Sequence, residues 1–227
     1  MQIPRWKKYL SYLFELPLET AASEHNPYLE VTLKKGRFQL STANAVYSFG
    51  DLYDNFSSAF AKLNLEQLPI EKVLVLGFGL GSIPIVMEKM YGRSYHFTAV
   101  EIDETVLALA NKYALPDIQS PIEMICADAH AFVMQCSEQF DLITVDVFVD
   151  DKVPAAFEAT AFLQQLQQLL RPSGVLLYNR LAYTQQDTAE AKAFYESSFH
   201  PNFPKGTYIP VRGNWILLND RQYLNPA

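Results

Sequence analysis

The sequence predicts an α/β protein whose mostly parallel sheet has seven strands, one of them reversed. Five short apolar runs alternate with helical stretches from residue 73 to residue 178. This alternation is typical of parallel strands that helices cover on both faces. The last two apolar runs, TYIPV and NWILL, are separated only by Arg212-Gly213. Such a short connection predicts a C-terminal antiparallel hairpin after the five parallel strands.

The chain of 227 residues suits one large domain with a small appendage. We place the boundary at 64/65, with an N-terminal region over 1–64 and an α/β domain over 65–227. The N-terminal region begins with a pattern that predicts an amphipathic helix over 1–16. Alternating apolar and polar residues over 28–48 predict a β-hairpin with Gly36 in its turn. A helical period returns over 51–64.

The second region follows a regular order of strands and helices. Its last predicted helix is followed by Pro172 and a turn at Ser173-Gly174. The predicted strands cover 73–76, 95–100, 121–126, 141–145 and 174–178, and the predicted helices cover 82–91, 103–113, 129–137 and 158–170.

Composition narrows the class of protein. Hydrophobic residues make up 49% of the chain, the net charge is −7, and no long Lys/Arg run is present, which argues against a nucleic-acid partner. Cys126 and Cys136 belong to no Cys/His cluster, so we expect reduced cysteines, no metal site and a cytoplasmic protein. No apolar run is long enough to span a membrane. We expect the N-terminal helix to pack on its own domain, the alternative being a partner or a membrane surface.

The stretch VLVLGFGLGS, residues 73–82, predicts a strand, a tight glycine turn and the start of a helix. Gly77 permits a sharp exit from the strand, and Gly79 and Gly81 let the backbone approach a ligand closely. The free N–H groups of the helix then face the same space. The dinucleotide fingerprint requires Gly or a small apolar residue where this chain has Ser82. A dinucleotide, an adenosyl sulfonium compound and a plain tight turn therefore stay open.

Acidic residues follow three of the predicted strands. Glu101, twenty positions after Gly81, is placed to accept the hydroxyls of a ribose, the alternative being a solvated strand end. Asp128 and the backbone of Ala129 are placed to contact an adenine, although Asp128 also suits a helix N-cap. Asp146 ends the fourth strand, where a carboxylate can orient a nucleophile, accept a proton or bind a positive charge.

The ordered set VLVLGFGLGS, AVEIDETV, CADAHAF, FDLITVDVF and LLRPSGVLLYN resembles the class I AdoMet-dependent transferases and, among them, the spermidine synthase-like group. The resemblance covers about residues 28 to 220. It implies the class I methyltransferase (Rossmann-like) fold, a small N-terminal β-hairpin region and a homodimer. The residues that it implies for binding the donor are Gly77, Gly79, Gly81, Glu101, Ile102, Asp128, Ala129, Gln39 and Tyr47.

The departures from spermidine synthases concern the acceptor side. Those enzymes have Tyr-His-Glu after the hairpin, where this chain has Tyr47-Ser48-Phe49. Their catalytic loop reads Asp-Ser-Ser-Asp-Pro, and here residues 146–150 read DVFVD. Asp146 matches the aspartate that the resemblance implies as the base. Val149 replaces the second aspartate, which helps to bind the polyamine cation.

Three functions follow from these observations. The first is methyl transfer from S-adenosyl-L-methionine (AdoMet) to an unidentified acceptor, expected to be a small molecule, with Asp146 as the catalytic residue. The second is aminopropyl transfer from decarboxylated AdoMet, with an acidic channel formed by Asp51, Asp54, Asp146 and Asp150. The third is a non-catalytic protein that keeps the fold. Ser82 and the terminal hairpin disfavour a nicotinamide oxidoreductase.

Overall fold

The computed structural model describes residues 3–43, 45–149 and 152–226. The N-terminal region forms a four-stranded antiparallel sheet in the order β1-β2-β3-β4, preceded by a short helix and followed by a second one. Lys35 and Gly36 form the turn of the predicted hairpin, between β2 and β3. The elements are α1 (Arg5–Leu10), β1 (Leu16–Ala21), β2 (Leu29–Lys34), β3 (Arg37–Ser41), β4 (Val46–Ser48) and α2 (Asp54–Phe60).

The second region contains a seven-stranded sheet in the order β10-β11-β9-β8-β5-β6-β7. Strands β5 to β9 pair in parallel, and β11 runs antiparallel to both of its neighbours, so the predicted reversed strand is confirmed. The strands are β5 (Lys72–Leu76), β6 (His96–Glu101), β7 (Ile122–Cys126), β8 (Phe140–Val145), β9 (Leu170–Leu181), β10 (Thr207–Val211) and β11 (Asn214–Leu218).

Helices cover both faces of this sheet. Side chains along β5 alternate between the two faces. Val73 and Val75 pack on one face, and Leu74 and Leu76 pack on the other. The first face is covered by α2, α3 and α4, the second by α5, α7 and α8. The helices of this region are α3 (Ser82–Tyr91), α4 (Glu104–Tyr113), α5 (Ala129–Gln135), α6 (Ala155–Glu158), α7 (Thr160–Leu169), α8 (Gln185–Phe194) and α9 (His200–Asn202).

Several predicted elements differ from the structure. The helix predicted over 1–16 ends at Leu10, and Leu16–Ala21 is a strand paired with β2, in which Pro17 would have interrupted a helix. The helix predicted over 158–170 divides at Ala159, whose backbone is extended, and it ends before Pro172, which lies inside β9. Helix α8 is missing from the prediction, although its Thr184–Asp187 capping box is a recognisable signal.

No helix in the described part of the chain is long and apolar enough to cross a membrane.

Candidate active site

A cavity of about 520 Å³ lies at the carboxyl ends of the parallel strands. Both regions of the chain contribute to its walls. Residues 45–48 and Tyr53 come from the N-terminal region, and the glycine turn and the ends of β6 and β8 come from the second region. Open α/β sheets bind ligands at this edge. The volume lies within the range of about 300–1,000 Å³ that small-molecule sites occupy.

The glycine turn after β5 requires glycine for two separate reasons. Gly77 has a φ of +85°, and a Cβ on it would lie 2.2 Å from the carbonyl oxygen of Asp146. Gly79 has a φ of +53° and passes close to Tyr47 and Ser48, so a Cβ would lie 3.4 Å from the carbonyl oxygen of Tyr47. Both glycines line the cavity. Gly81 instead precedes α3 as its N-cap and packs against Phe78 and Ile118, away from the cavity lining.

Ser82 ties the glycine turn to the N-terminal region. Its hydroxyl shares a 2.6 Å hydrogen bond with the hydroxyl of Ser48 and accepts one of 3.0 Å from the N–H of Phe49. Ser82 is buried, so these contacts satisfy polar groups that water does not reach. The serine that departs from the dinucleotide fingerprint therefore has a structural role in joining β4 to the start of α3.

Glu101 ends β6 and closes the glycine turn. One of its carboxylate oxygens accepts from the N–H groups of Phe78, at 3.2 Å, and Gly79, at 3.1 Å, and the other accepts from the N–H of Asp103, at 3.2 Å. Burial raises the pKa of Glu101 despite these bonds. A carboxylate has about four acceptor positions. Glu101 therefore shapes the turn and still presents acceptor capacity to the cavity, beside the exposed Ile102.

Asp103 and Asn26 form a buried network that the sequence analysis missed. The Asp103 carboxylate caps α4 through the N–H of Thr105, at 2.9 Å, and accepts from the side chain of Asn26, at 2.8 Å. The Asn26 oxygen in turn accepts from the hydroxyl of Tyr47, at 3.1 Å. This network holds Tyr47 at the cavity wall. The sequence carries a local signal for the Asp103 N-cap alone. The contact between Asn26 and Asp103 has none, because the two residues are 77 positions apart.

Asp128 forms the helix N-cap that the sequence predicted as an alternative to contact with an adenine. Its carboxylate caps α5 by accepting from the N–H of Ala131, at 2.7 Å. Asp128 and the buried Ala129 also line the cavity, next to Ile102. The cap and the position at a ligand site are thus compatible, because the N-terminus of α5 points at the cavity.

Asp146 directly follows β8, lines the cavity and is held from two sides. The hydroxyl of Tyr53 donates to one carboxylate oxygen at 2.9 Å, and the amide of Asn179 donates to the other at 2.8 Å. Asn214 donates to the oxygen of Asn179 at 2.8 Å, which fixes the direction of that amide. Burial raises the pKa of Asp146 to about 6, with Glu101 adding to the rise and the two donors partly opposing it.

The part of the cavity beside β8 and β9 is mostly apolar. Tyr183 and Val149 stand at its mouth with 81% and 63% of their surface exposed. Among the described residues that line the whole cavity, none is Lys, Arg or His, and four are acids: Glu101, Asp128, Asp146 and Asp187. The cavity therefore favours a ligand with positive charge. Asp187 belongs to the capping box of α8 and was missed with that helix.

Several residues singled out in the sequence lie elsewhere. Gln39 is buried in the N-terminal sheet, where its amide donates to Glu15 at 3.2 Å and to Ser41 at 3.0 Å, and it does not line the cavity. Asp51 pairs with Arg37 and Lys89. Asp54 is in the first turn of α2 and also lies outside the cavity lining. Asp150 and Asp151 lie outside the described residues.

The fold and this edge of the sheet define a Rossmann-like α/β domain with a cavity at the carboxyl ends of its parallel strands. Residues 55–217 match the family described as the spermine/spermidine synthase domain. The chain belongs to this family.

Two curated relatives carry different activities in their names. The polyamine aminopropyltransferase of Vibrio vulnificus (strain CMCP6) is 30% identical over 132 residues, which are 57% of this chain and 44% of that protein. The eEF1A lysine and N-terminal methyltransferase of Bos taurus is 30% identical over 118 residues, which are 47% of this chain and 17% of that protein. The matches thus cover less than half the length of these relatives. Relatives in the family include both aminopropyltransferases and methyltransferases.

Solved structures agree with the fold. A spermidine synthase in complex with the transition-state analogue AdoDATO superposes with a TM-score of 0.71 at 16% identity, covering 93% of this chain and 77% of that one. Human methyltransferase-like protein 13 in complex with SAH superposes with a TM-score of 0.58 at 24% identity, covering 75% of this chain and 82% of that one. The predicted class I methyltransferase (Rossmann-like) fold is confirmed.

Proposed function

We propose that this protein is an AdoMet-dependent methyltransferase on a spermidine synthase-like scaffold, acting on a small-molecule acceptor. The observation that carries the choice of methyl transfer is the apolar part of the cavity, where Val149 occupies the position of the second aspartate of spermidine synthases. A diamine acceptor carries a second ammonium group, and a solvent-exposed valine offers that group no counter-charge.

The part of the cavity formed by the glycine turn, the end of β6 and the start of α5 fits AdoMet. Gly77 and Gly79 line the cavity without side chains of their own, and Glu101 lines it beside them. Asp128 and Ala129 stand at the N-terminus of α5, on the side where the resemblance implies the adenine. The acids of the lining favour the positive sulfur. When bound, AdoMet supplies a methyl group that its sulfonium already activates.

Asp146 serves in this proposal as the base that orients the acceptor and takes its proton. Its raised pKa of about 6 suits that task near neutral pH, because the carboxylate is ionised and yet more basic than an ordinary aspartate. Tyr53 and Asn179 keep the carboxylate aimed into the cavity. The apolar side chains around it restrict water.

Aminopropyl transfer from decarboxylated AdoMet is the second candidate, and one observation favours it. No described residue of the lining offers a cationic side chain to a methionine carboxylate, which decarboxylated AdoMet lacks. The acidic channel expected for the diamine finds less support, because Asp51 and Asp54 lie outside the cavity lining. Asp150, the fourth acid of the expected channel, lies outside the described residues. Among the three described acids of that channel, Asp146 alone lines the cavity.

The deciding experiment is calorimetric titration of the protein with AdoMet and, separately, with decarboxylated AdoMet. We expect AdoMet to bind at least tenfold more tightly. A preference for the decarboxylated donor would make aminopropyl transfer the function. Binding of neither compound by folded protein would leave a non-catalytic member of the family.

A matched pair of variants shows whether binding occurs at this cavity. Glu101→Gln keeps the shape of the side chain but removes the charge next to the glycine turn, so donor affinity should fall about tenfold or more. Glu104→Gln makes the same change on the exposed surface of α4, away from the cavity lining, and should leave affinity unchanged. Equal affinities for the two variants would place the donor elsewhere.

A further inference from the structure

The N-terminal segment exposes a group of large apolar side chains that the fold does not cover. Helix α1 buries none of its residues. Isolated apolar side chains on a surface are ordinary, but clusters of them mark interaction sites. The members of this aromatic patch are exposed by 62 to 77%: Trp6, Tyr9, Tyr12, Leu13 and Phe14.

The aromatic patch is held in place by the N-terminal sheet. Ser11, in the middle of the segment, is buried, and its carbonyl oxygen accepts from the N–H of Lys35 at 2.8 Å. Its hydroxyl accepts from the N–H of Gly36 at 2.9 Å. Tyr12 lies against Gly36, where a Cβ would lie 3.2 Å from the Tyr12 hydroxyl oxygen and 3.3 Å from the nearest ring carbon. The segment is thus anchored on the β2–β3 turn and displays its apolar side chains in a defined place.

Positive charges accompany the patch. Arg5, Lys7 and Lys8 belong to α1, and Lys35 lies in the anchoring turn. None of these four cations forms an ion pair with another described residue. Glu15, the one acid between residues 3 and 18, pairs with Lys34 at 2.8 Å. The patch is therefore cationic in a chain whose net charge is −7.

The positive charge of the patch distinguishes between two possible binding partners, a second copy of the chain and an anionic surface. A two-fold contact between copies of the chain would bring the same patch together from both sides, and with it the same cations. An anionic surface removes this repulsion. Trp and Tyr side chains accompanied by Lys and Arg are the composition that settles at the boundary between lipid headgroups and acyl chains.

We propose that the aromatic patch and its four cations bind the surface of an anionic lipid bilayer, with α1 lying on the membrane and the cavity remaining outside it. The aromatic and leucine side chains enter the headgroup region, and the cations contact lipid phosphates. This inference does not depend on which group the active site transfers.

Co-sedimentation with vesicles tests the proposal on the full chain. One set of vesicles contains phosphatidylcholine alone, and the other contains equal parts of phosphatidylcholine and phosphatidylglycerol. We expect binding to the anionic vesicles, weaker binding at high salt, and little binding to phosphatidylcholine. Trp6 should show a blue shift of its fluorescence on binding, because its ring leaves water.

Two variants and a control locate the contact. Lys7→Glu with Lys8→Glu should lower the affinity for anionic vesicles about tenfold or more, since each cation near such a surface strengthens binding about fivefold. Trp6→Ser with Phe14→Ser should lower it comparably, and exposure of both side chains spares the fold. Lys192→Glu with Arg212→Glu changes the net charge equally at other exposed sites and should bind like the natural chain.

Three results would overturn the proposal. The first is absence of binding to anionic vesicles by the natural chain. The second is equal binding by the charge variant and its control. The third is a dimer in sedimentation that Trp6→Ser with Phe14→Ser converts to monomer without any effect on vesicles, because the patch would then join two copies.

Discussion

Asp146 illustrates how neighbouring groups set the role of a single side chain. Its carboxylate is buried, which disfavours the ionised form, and among the described residues two donate hydrogen bonds to it, Tyr53 and Asn179. Asp141, at the other end of β8, shows the opposite balance. Burial would raise its pKa as well, but the N–H groups of Lys72 and Glu71 and the guanidinium of Arg171 outweigh burial and lower it. Two aspartates on one strand are therefore tuned in opposite directions.

This contrast predicts opposite effects of two equivalent substitutions on stability. The folded-state pKa of Asp146, about 6, lies above the ordinary value of 3.8. Ionising this residue in the fold thus costs stability as pH rises from 3.8 to 6, and the full cost is present above that range. Asp146→Asn should raise the free energy of unfolding at pH 8 by about 1–3 kcal/mol, and the gain should shrink towards pH 5.

Asp141→Asn is the control with the opposite sign. A lowered pKa contributes stability above the unfolded-state value and loses it as pH falls. The free energy of unfolding at pH 8 should therefore decrease in this variant. Urea denaturation between pH 5 and pH 8 measures both effects. A loss of stability at pH 8 in Asp146→Asn would contradict the raised pKa.

The glycine turn shows, at the scale of an element, how the ends of three strands converge. The N–H of Gly77 donates to the carbonyl of Val100, and the N–H of Asp146 donates to the carbonyl of Leu76, so the ends of three strands are joined here. The carbonyl of Asp146 then occupies the space that a side chain at residue 77 would need. Close packing of the three strands thus depends on the missing Cβ of Gly77.

Two Gly→Ala substitutions around α3 separate backbone strain from steric collision. Gly92, after α3, has a φ of +60° and nothing within 4 Å of a Cβ, so Gly92→Ala should cost only about 1–2 kcal/mol of stability. Gly77→Ala adds a contact of 2.2 Å with a backbone oxygen. We expect it to cost about 3 kcal/mol or more and to abolish donor binding. Urea denaturation and calorimetry compare the two, and equal losses would show that the strand ends move apart easily.

At the scale of the whole molecule, one of the two hydrophobic clusters crosses the predicted boundary at 64/65. Leu29, Val31 and Phe56 of the first region pack in the same cluster as Val73 and Ile83 of the second. The cavity also needs both regions, since Tyr53 reaches Asp146 from the N-terminal side. The boundary itself stays a prediction. What the packing indicates is that the N-terminal region buries its apolar surface against the second region.

This shared cluster predicts one cooperative unfolding transition. Hydrogen exchange followed by mass spectrometry at increasing urea should give the same opening free energy for the amides of β2 and β3 as for those of β5, within about 1 kcal/mol. The exposed α1 serves as an internal control and should exchange earlier. Exchange of β2 and β3 at much lower urea than β5 would show instead that the N-terminal sheet unfolds on its own.

The sequence by itself determined the sheet, its reversed strand, the glycine turn and the acids that follow the strands. Each of these depends on local patterns of apolar residues, glycines and strand ends, which a single segment expresses. The sequence pattern was less reliable at the N-terminus, where β1 forms by pairing with the edge of β2.

Only the tertiary structure decided which polar residues meet. Tyr53, Asn179 and Asn214 come from three separate elements and converge on Asp146, while Gln39 is held by Glu15 instead of reaching the cavity. The same holds for Ser82, whose partners lie 33 and 34 residues away. A hydrogen bond between residues distant in the chain leaves no periodic trace in either segment. It exists because packing of the apolar faces brings the two elements together, and this packing also raises the pKa of Asp146.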